Sequence, residues 1–133
     1  MTDISIFMTL VVIGPVTEDL VIIGSDESRK IGGATYFQAF VFEEFYSDYL
    51  ALINCSNEDF VSDFPDSDKV KVILKDNTHF FVNEYPNPDD RDIRNQLSNF
   101  AQIPIYPDDL KGILPEKIDG FVLNPLKDRK SVV

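Results

Sequence analysis

The chain has 133 residues, 44% of them hydrophobic, and a formal net charge of −11 from 23 acidic and 12 basic side chains. This composition excludes a disordered chain and is typical of one globular domain. The negative charge disfavours nucleic acids and anionic membrane surfaces as partners. A single cysteine excludes an internal disulfide bond. Because no basic leader and no apolar run near 18 residues are present either, we expect a cytoplasmic protein.

The first two predicted strands are short apolar runs near the N-terminus. Residues 10–13 form an uninterrupted aliphatic run that ends at Gly14, which predicts a strand covered on both faces, as in a parallel sheet. Residues 1–7 lack this pattern and are interpreted as an addition to the core. Residues 20–23 predict a second strand, and the polar residues 24–30 are predicted to be a connection.

A glycine pair at 32–33 precedes a predicted helix over residues 34–46. Four large apolar side chains recur with helical spacing on one face: Phe37, Phe40, Val41 and Phe45. Because Ala39 and Phe42 widen this apolar surface, we expect the helix to be buried on more than one side. The glycines allow a ligand to approach the free N–H groups of the first helical turn, although the same pair also suits an ordinary turn.

The second half of the chain mixes two kinds of strand. The uniformly apolar residues 49–54 and 121–123 are predicted to be strands that join the strand of residues 10–13 in a parallel core sheet. Short helices are predicted over residues 56–64 and 107–112. Residues 70–74 and 78–85, separated by turn residues, predict an antiparallel hairpin, and residues 93–100 predict an edge strand beside it. Together with 20–23, these amphipathic strands predict a small sheet that projects from an α/β core as a lid.

Asp19 is the first candidate for a binding residue. It follows Gly14 by five positions, just beyond the carboxyl end of the first strand, where open α/β sheets bind their ligands. A carboxylate at this place can accept charge-assisted hydrogen bonds from two adjacent hydroxyls of a polyol. The alternative is a solvated turn acid next to Glu18, and both interpretations stay open at this point.

Metal sites and hydrolytic centres are disfavoured by the sequence. His79 is the only histidine and has no cysteine or second histidine at ligand spacing. The acidic clusters at residues 63–68 and 89–92 lack the glycine-containing calcium-loop pattern. Cys55 is predicted to be a small core residue. Neither a phosphate-binding G-x-x-x-x-G-K-[ST] loop nor a G-x-S-x-G or H-E-x-x-H motif is present.

The order of these motifs resembles the N-terminal part of the ribokinase-like (PfkB) carbohydrate kinase family, in its archaeal-type form. The segments that carry the resemblance are VVIGPVTEDLVII, IGGATYFQAF and HFFVNEYPNPDDRDIRNQLSNFAQIPIYPDDL, and the likeness extends over roughly residues 8–126. Gly14, Asp19, Gly32 and Gly33 match the family's sugar-site pattern, and the aromatic residues Tyr36 and Phe37 match the archaeal variant. FVLNPL resembles the strand whose end faces the substrate.

The resemblance implies an α/β, ribokinase-like three-layer core with a small projecting β-sheet lid. It implies that residues 1–133 form a single, partial domain whose lid strands lie within about 19–24 and 70–98. Asp19 would then hold sugar or nucleoside hydroxyls, Gly32 and Gly33 would admit the substrate to the backbone, and Phe37 and Asn83 would line or cover it. Phe81, Tyr85 and Gln96 would belong to the lid or its rim.

Two departures from the family pattern bear on activity. Phe37 and Gln38 stand where many members carry a sugar-contacting asparagine on the helix. The C-terminal G-x-G-D motif, which supplies the general base and the anion hole, is absent. We therefore assign no catalytic residue and expect no phosphoryl transfer by these 133 residues alone. The family enzyme implies ATP and Mg²⁺, but we expect neither to bind this chain tightly.

The tail 127–133 stops where the family's sheet continues, which is typical of a truncated member and leaves an exposed strand edge. One alternative is a non-catalytic interaction module that forms a homodimer through the lid. A further alternative is an unrelated small, acidic α/β protein in which the spacing of Asp19 and the glycines is coincidental.

Overall fold

The computed structural model describes residues 9–46, 48–99 and 103–125. Their strands form two four-stranded sheets. The core sheet has the order β5-β4-β1-β8, and its strands are β1 (Thr9–Ile13), β4 (Tyr49–Cys55), β5 (Val70–Leu74) and β8 (Ile118–Leu123). The lid sheet has the order β3-β2-β6-β7, and its strands are β2 (Thr17–Ile23), β3 (Asp26–Gly32), β6 (His79–Tyr85) and β7 (Asn95–Ser98). The interpretations of residues 1–7 and of the tail 127–133 lie outside the described residues.

The core sheet is parallel throughout and confirms the α/β prediction. β1 pairs with β4 and β8, and β4 pairs with β5, all in the same direction. Val11, Val12 and Leu52 have no exposed surface. This is the burial expected of aliphatic runs that are covered on both faces of a parallel sheet.

Two layers cover the core sheet. The helix α1 (Ala34–Phe45) packs on one face, where Ala39 joins the cluster that contains Ala51 and Ile53. Side chains from the segment before β8 pack on the other face against the cluster of Val11 and Leu52; these side chains are Ile105, Leu110 and Ile113. The central strands β1 and β4 are therefore enclosed between α1 and residues 103–118.

The lid sheet is attached to the core at one row of residues. Thr17 pairs with Gly32 on one side and with His79 on the other, and these are the buried residues of the lid strands. Farther along the strands the side chains are half-buried or exposed. The sheet thus projects from the core, as the predicted lid does.

The buried face of α1 differs from the predicted one. Thr35 and Ala39 are buried against the sheet, whereas the predicted aromatic face is exposed: Phe37 at 60%, Phe40 at 45%, Val41 at 53% and Phe45 at 82%. The expectation of a helix buried on more than one side was therefore wrong. Small side chains allow the helix to approach the sheet closely, so the face with Ala39 packs inward although it carries less apolar area.

Residues 24–30 were predicted to be a connection, and this prediction was wrong. They include most of β3, which forms a hairpin with β2 through Gly24 and Ser25. Gly24 has φ of +61°, the left-handed conformation that two-residue hairpin loops require. The strand was missed because the side chains of Asp26–Lys30 are polar and exposed, so they give no apolar alternation.

The predicted hairpin between residues 70–74 and 78–85 was also wrong. β5 is the edge strand of the core sheet and pairs parallel with β4, while β6 pairs parallel with β2 in the lid sheet. Val70 and Ile73 are buried in clusters on opposite faces of the core sheet. A strand buried on both faces belongs in the core, so the lid strands of the second half are β6 and β7 only.

The shorter elements agree more closely with the prediction. A 3₁₀ helix spans Glu58–Asp63, and the side chain of its cap, Asn57, accepts a hydrogen bond from the Asp59 amide. A second covers Pro107–Leu110 with Pro107 at its start. β7 lies at the edge of the lid sheet, as predicted for residues 93–100, of which Phe100 lies outside the described residues. None of the helices in the described ranges has the length and hydrophobicity needed to cross a bilayer.

Candidate functional site

The predicted binding residues converge at the junction of the two sheets. β1 ends at Ile13 and the chain turns through Gly14 into β2, which carries Asp19. β3 then returns antiparallel to β2 and ends at Gly32, from which Gly33 leads directly into α1. The structure therefore brings Asp19 and both glycines together at the carboxyl end of β1, the position where α/β sheets bind ligands.

Asp19 has an unsatisfied side-chain oxygen. Its Oδ1 is buried and has no hydrogen-bond partner among the described residues. Buried carboxylate oxygens in folded proteins almost always accept hydrogen bonds, because an unpartnered one loses its hydration without compensation. Oδ1 of Asp19 is thus an acceptor in position for a donor that the described part of the chain does not supply.

The Asp19 carboxylate lies directly against the backbone of Gly32. A Cβ atom at this position would lie 2.8 Å from Oδ2 of Asp19 and 2.8 Å from Oγ1 of Thr17. Both distances are too short for a real Cβ, so any larger residue would displace the Asp19 side chain. A glycine is required at position 32 because the side chains of Asp19 and Thr17 lie so close to its backbone.

Gly33 is required by its backbone conformation. It has φ of +101°, and a Cβ would lie 2.6 Å from the carbonyl oxygen of Pro15. It is also the N-cap of α1, and no side chain caps this helix end or supplies an acid in its first turn. The first N–H groups of the helix are therefore left for an oxygen-bearing ligand or for water.

Asn83 lies on the same face of the lid sheet as Asp19. Asp19 is opposite Phe81 on β6, and Asn83 follows Phe81 by two residues, so the three side chains share one face. Oδ1 of Asn83 accepts a hydrogen bond of 2.9 Å from Nε2 of Gln96 on β7. The lid thus presents a carboxylate and an amide pair on one face, separated by about 7 Å along the sheet.

Phe37 is placed differently from the other predicted site residues. Its side chain is 60% exposed on the outer face of α1, and its ring packs edge-on against Tyr36 at 5.2 Å between centroids. Its backbone N–H donates a hydrogen bond of 3.2 Å to the carbonyl oxygen of Gly33, so Phe37 lies one helical turn beyond the glycine pair. Its role in covering a ligand stays a prediction.

A polar cluster at the end of β8 was not identified from the sequence. Nδ2 of Asn124 donates to Oγ1 of Thr35 at 3.1 Å and to Oε1 of Gln38 at 2.8 Å, while Nε2 of Gln38 donates to Oδ1 of Asn124 at 3.2 Å. A Cβ at Gly14 would lie 2.5 Å from Oγ1 of Thr35, so the cluster packs directly on this glycine. These bonds fix the first turns of α1, and with them Gly33, to the sheet.

The groups at this site are of the kind that bind hydroxyls. They comprise a carboxylate acceptor, free helical N–H groups and side-chain amides, which suit a neutral polyol. In the described ranges, no three His, Cys, Asp or Glu side chains are grouped so that they could hold a metal ion. Burial raises the pKa of the Cys55 thiol, and this fully buried side chain faces the core rather than the site.

No protein-family model and no curated protein matches the chain. Solved structures do match it. A pyrophosphate-dependent kinase in the ribokinase family, complexed with a pyrophosphate analogue and myo-inositol, is 21% identical with a TM-score of 0.61, over 88% of this chain and 40% of its own. A sulfate complex of a pyrophosphate-dependent kinase in the ribokinase family is 22% identical with a TM-score of 0.58. The match covers 88% of this chain and 41% of that chain. A pyrophosphate-dependent myo-inositol-1 kinase that two substitutions convert into a myo-inositol-3 kinase is 21% identical with a TM-score of 0.57. The match covers 88% of this chain and 38% of that chain.

These comparisons establish a ribokinase-like fold for the described residues. The identities are too low to carry more than the fold. The chain spans about two-fifths of the length of the structures that it matches.

Proposed function

We propose that this chain is the substrate-binding and lid portion of a kinase that phosphorylates a hydroxyl of a sugar, cyclitol or nucleoside. The observation that carries the proposal is the buried, unpartnered Oδ1 of Asp19 beside two glycines that could not be replaced without a clash. The ribokinase-like fold and the myo-inositol bound to one structural neighbour support a cyclic polyol as the ligand class.

Each site residue then has a distinct role. Asp19 accepts hydrogen bonds from two neighbouring hydroxyls, and Gly32 lets the Asp19 carboxylate lie against the backbone, so that the substrate is admitted there. Gly33 presents the N-terminus of α1 to a third oxygen. Asn83 on the lid contacts the far side of the polyol, and Phe37 shields it from water when the lid closes.

Phosphoryl transfer needs a site for the phosphate donor in addition to the site for the hydroxyl. The sequence carries no G-x-x-x-x-G-K-[ST] phosphate loop, and the described residues group no three His, Cys, Asp or Glu side chains that could hold a metal ion. We propose that the phosphate donor, ATP or the pyrophosphate used by the neighbours, binds outside these residues. The assignment of residues 1–133 to one partial domain and of the protein to the cytoplasm stays a prediction.

Titration calorimetry tests the binding role of Asp19. The native chain is titrated with myo-inositol, ribose and adenosine, and we expect saturable binding of at least one of them. Asp19→Ala removes two charge-assisted hydrogen bonds, each contributing about 1.5–3 kcal/mol, and so weakens binding by at least about 100-fold. Its stability to urea should stay equal or rise, because a buried oxygen without a partner is removed.

Glu18→Ala is the matched control for this experiment. Glu18 lies next to Asp19 but on the opposite face of β2, where it accepts a hydrogen bond from Arg29 at the surface. We expect Glu18→Ala to bind like the native chain. Equal binding by Asp19→Ala, or equal losses in both variants, would remove Asp19 from the site.

A non-catalytic dimerisation module is the second candidate function. The face of the lid sheet opposite Asp19 carries Leu20, Ile22 and Val82, and Leu97 on the same face is 67% exposed. A second copy could bury this apolar face. Light scattering that shows a dimer abolished by Leu97→Asp, without affinity for any polyol, would favour this function over the first.

A further inference from the structure

Lys30 lies directly opposite Asp19 on the lid sheet. The antiparallel register of β2 and β3 pairs these two residues, so their side chains project from the same face with their Cβ atoms about 5 Å apart. Among the described strand residues of the lid sheet that share this face, Lys30 is the only lysine or arginine. In a chain with a net charge of −11, one positive charge therefore stands beside the candidate binding carboxylate.

Lys30 and Asp19 do not form an ion pair although they face each other. The carboxylate is turned towards the junction with the core, where Oδ2 lies against the backbone of Gly32 and Oδ1 is buried. Lys30 is exposed, and none of the ion pairs between described residues includes it. Opposite charges on paired strands ordinarily attract each other, so this arrangement leaves the Lys30 ammonium without a counterion on the face of Asp19.

Arg29, the neighbouring cation on β3, has the opposite arrangement. Its Nη1 donates to Oε1 of Glu18 at 2.7 Å, and its guanidinium lies over the ring of Phe80 at 5.8 Å. All three side chains lie on the face of the lid sheet opposite Asp19. Charged side chains on an edge strand protect a sheet from pairing with other chains. Because Arg29 already supplies such a charge, edge protection does not account for a second cation on the face of Asp19.

We propose that Lys30 determines specificity by binding an anionic substituent, a phosphate or a carboxylate, of the polyol held by Asp19. The proposal rests on the binding role proposed above for Asp19. Lysine donates charge-assisted hydrogen bonds to phosphate and carboxylate oxygens. Lys30 thus adds to the hydroxyl-binding groups a charge that a neutral polyol leaves without a counterpart. The Asp19 carboxylate repels the same substituent and so directs it towards β3.

The substrate class follows from this pairing of charges. Hydroxyls of the ligand donate to Asp19, and its acidic group lies about one strand spacing away, roughly 5 Å, at Lys30. This separation suits an acidic group attached to the same ring that carries the hydroxyls. The first turn of α1 has no acidic side chain that would oppose an anion there. The substrate is therefore a sugar or cyclitol that carries an acidic group before phosphoryl transfer, rather than an uncharged nucleoside.

Matched pairs of neutral and acidic polyols test the proposal. The native chain is titrated in a calorimeter with myo-inositol and myo-inositol 1-phosphate, and with glucose and glucuronate. We expect the acidic member of at least one pair to bind at least about tenfold more tightly than its neutral parent. Raising the salt concentration from about 0.02 M to about 0.2 M should reduce this advantage, because the charge of the exposed Lys30 is screened. The two pairs distinguish a phosphate from a carboxylate.

Variants on β3 assign the advantage to one side chain. Lys30→Gln removes the charge but keeps a long polar side chain, and should lower the ratio of the two affinities to about one. Lys30→Arg keeps the charge and should retain most of the ratio. Arg29→Gln removes the neighbouring charge from the opposite face and is the matched control, so it should change the ratio less than about twofold. Both residues are exposed, so the substitutions alter no buried contact.

An advantage that disappears in Lys30→Gln and persists in Lys30→Arg and Arg29→Gln supports the proposal. If neutral polyols bind and their acidic counterparts bind no more tightly, or if Lys30→Gln and Arg29→Gln have equal effects, the proposal is overturned while the proposed function stands. Titration with pyrophosphate is the further control, since binding that Lys30→Gln abolishes would assign Lys30 to the phosphate donor and overturn the proposal. If no member of either pair binds, the proposed function fails and this inference fails with it.

Discussion

The core sheet and the lid sheet have four strands each but bury their side chains very differently. In the core sheet, Val11, Val12 and Leu52 have no exposed surface, and clusters pack on both faces. In the lid sheet, the buried residues are confined to the row of Thr17, Gly32 and His79 at the junction. The core sheet therefore provides the stability of the fold, and the lid sheet is attached along a single row.

The two predicted binding residues of the lid sheet lie at different distances from the core. Asp19 lies two residues beyond the buried row, close enough to the core to be held firmly. Asn83 lies farther out on the lid, among half-buried residues with fewer packed neighbours. Regions with little buried surface open and close more easily than the core, so we expect the outer part of the lid sheet to be more mobile than the row at the junction.

The largest expected effect comes from a cavity in the core sheet. Leu52→Ala removes a fully buried side chain from the centre of one cluster and should lower the free energy of unfolding by about 2–5 kcal/mol. Val82→Ala in the lid sheet removes half-buried methyl groups and should cost roughly 1 kcal/mol. Urea denaturation of both variants checks the comparison, and equal losses would mean that the lid contributes as much as the core.

An intermediate effect is expected at the junction. Gly33→Ala forces a side chain onto a residue with φ of +101° and against the Pro15 carbonyl, and should cost at least about 1–3 kcal/mol. Gly112→Ala is the matched control, because Gly112 also has positive φ but nothing within 4 Å of the added Cβ. It should cost about 1 kcal/mol, from backbone strain alone. If thermal unfolding shows the same loss for both, close packing at Gly33 is not what holds the junction.

The smallest effect concerns an ion pair at the margin of the core sheet. Nζ of Lys75 donates to Oδ2 of Asp109 at 2.6 Å, and the Tyr106 amide donates to the same oxygen. The Lys75 hydrogen bond, with help from that amide, lowers the pKa of Asp109. A pKa lowered in the folded state stabilises the protein above the ordinary carboxyl pKa, and this stability is lost as the pH falls through the folded value.

Asp109→Asn should therefore lower the melting temperature slightly at pH 7, and the difference from the native chain should disappear in acid. Asp108→Asn is the control, since the pair of Asp108 with Lys111 is highly exposed and should contribute little at any pH. A difference for Asp109→Asn that persists unchanged at low pH would show that the ion pair is not its origin.

The sequence predicted those parts of the fold that have a local signature. The aliphatic runs of β1 and β4 and the helical spacing of α1 were sufficient to place these elements. The motif around Asp19 and the glycine pair predicted the candidate site, whose binding role stays a prediction. β3 was missed because an exposed hairpin strand needs no apolar alternation. The buried face of α1 was missed because large side chains indicated one face while the smaller Thr35 and Ala39 pack on the other.

Local sequence patterns did not predict which strands pair with one another. β5 and β6 are adjacent in the chain and joined by turn residues, yet they belong to different sheets, and only the burial of Val70 and Ile73 on opposite faces explains this. The bonds of Asn124 with Thr35 and Gln38 join residues that are 89 and 86 positions apart. No spacing rule connects such residues, although an asparagine directly after a core strand marks a position at the ligand-binding edge.

The central claim is that a polyol binds at Asp19, on one face of the lid sheet and against the start of α1. Nuclear magnetic resonance of isotope-labelled protein during a titration with myo-inositol tests it most directly. We expect saturable shifts of the Asp19 carboxyl carbon, the Gly32 and Gly33 amides and the Asn83 side-chain amide. Saturable binding that leaves these signals unchanged and moves those of Leu20 and Ile22, or no binding of any polyol, would contradict the account.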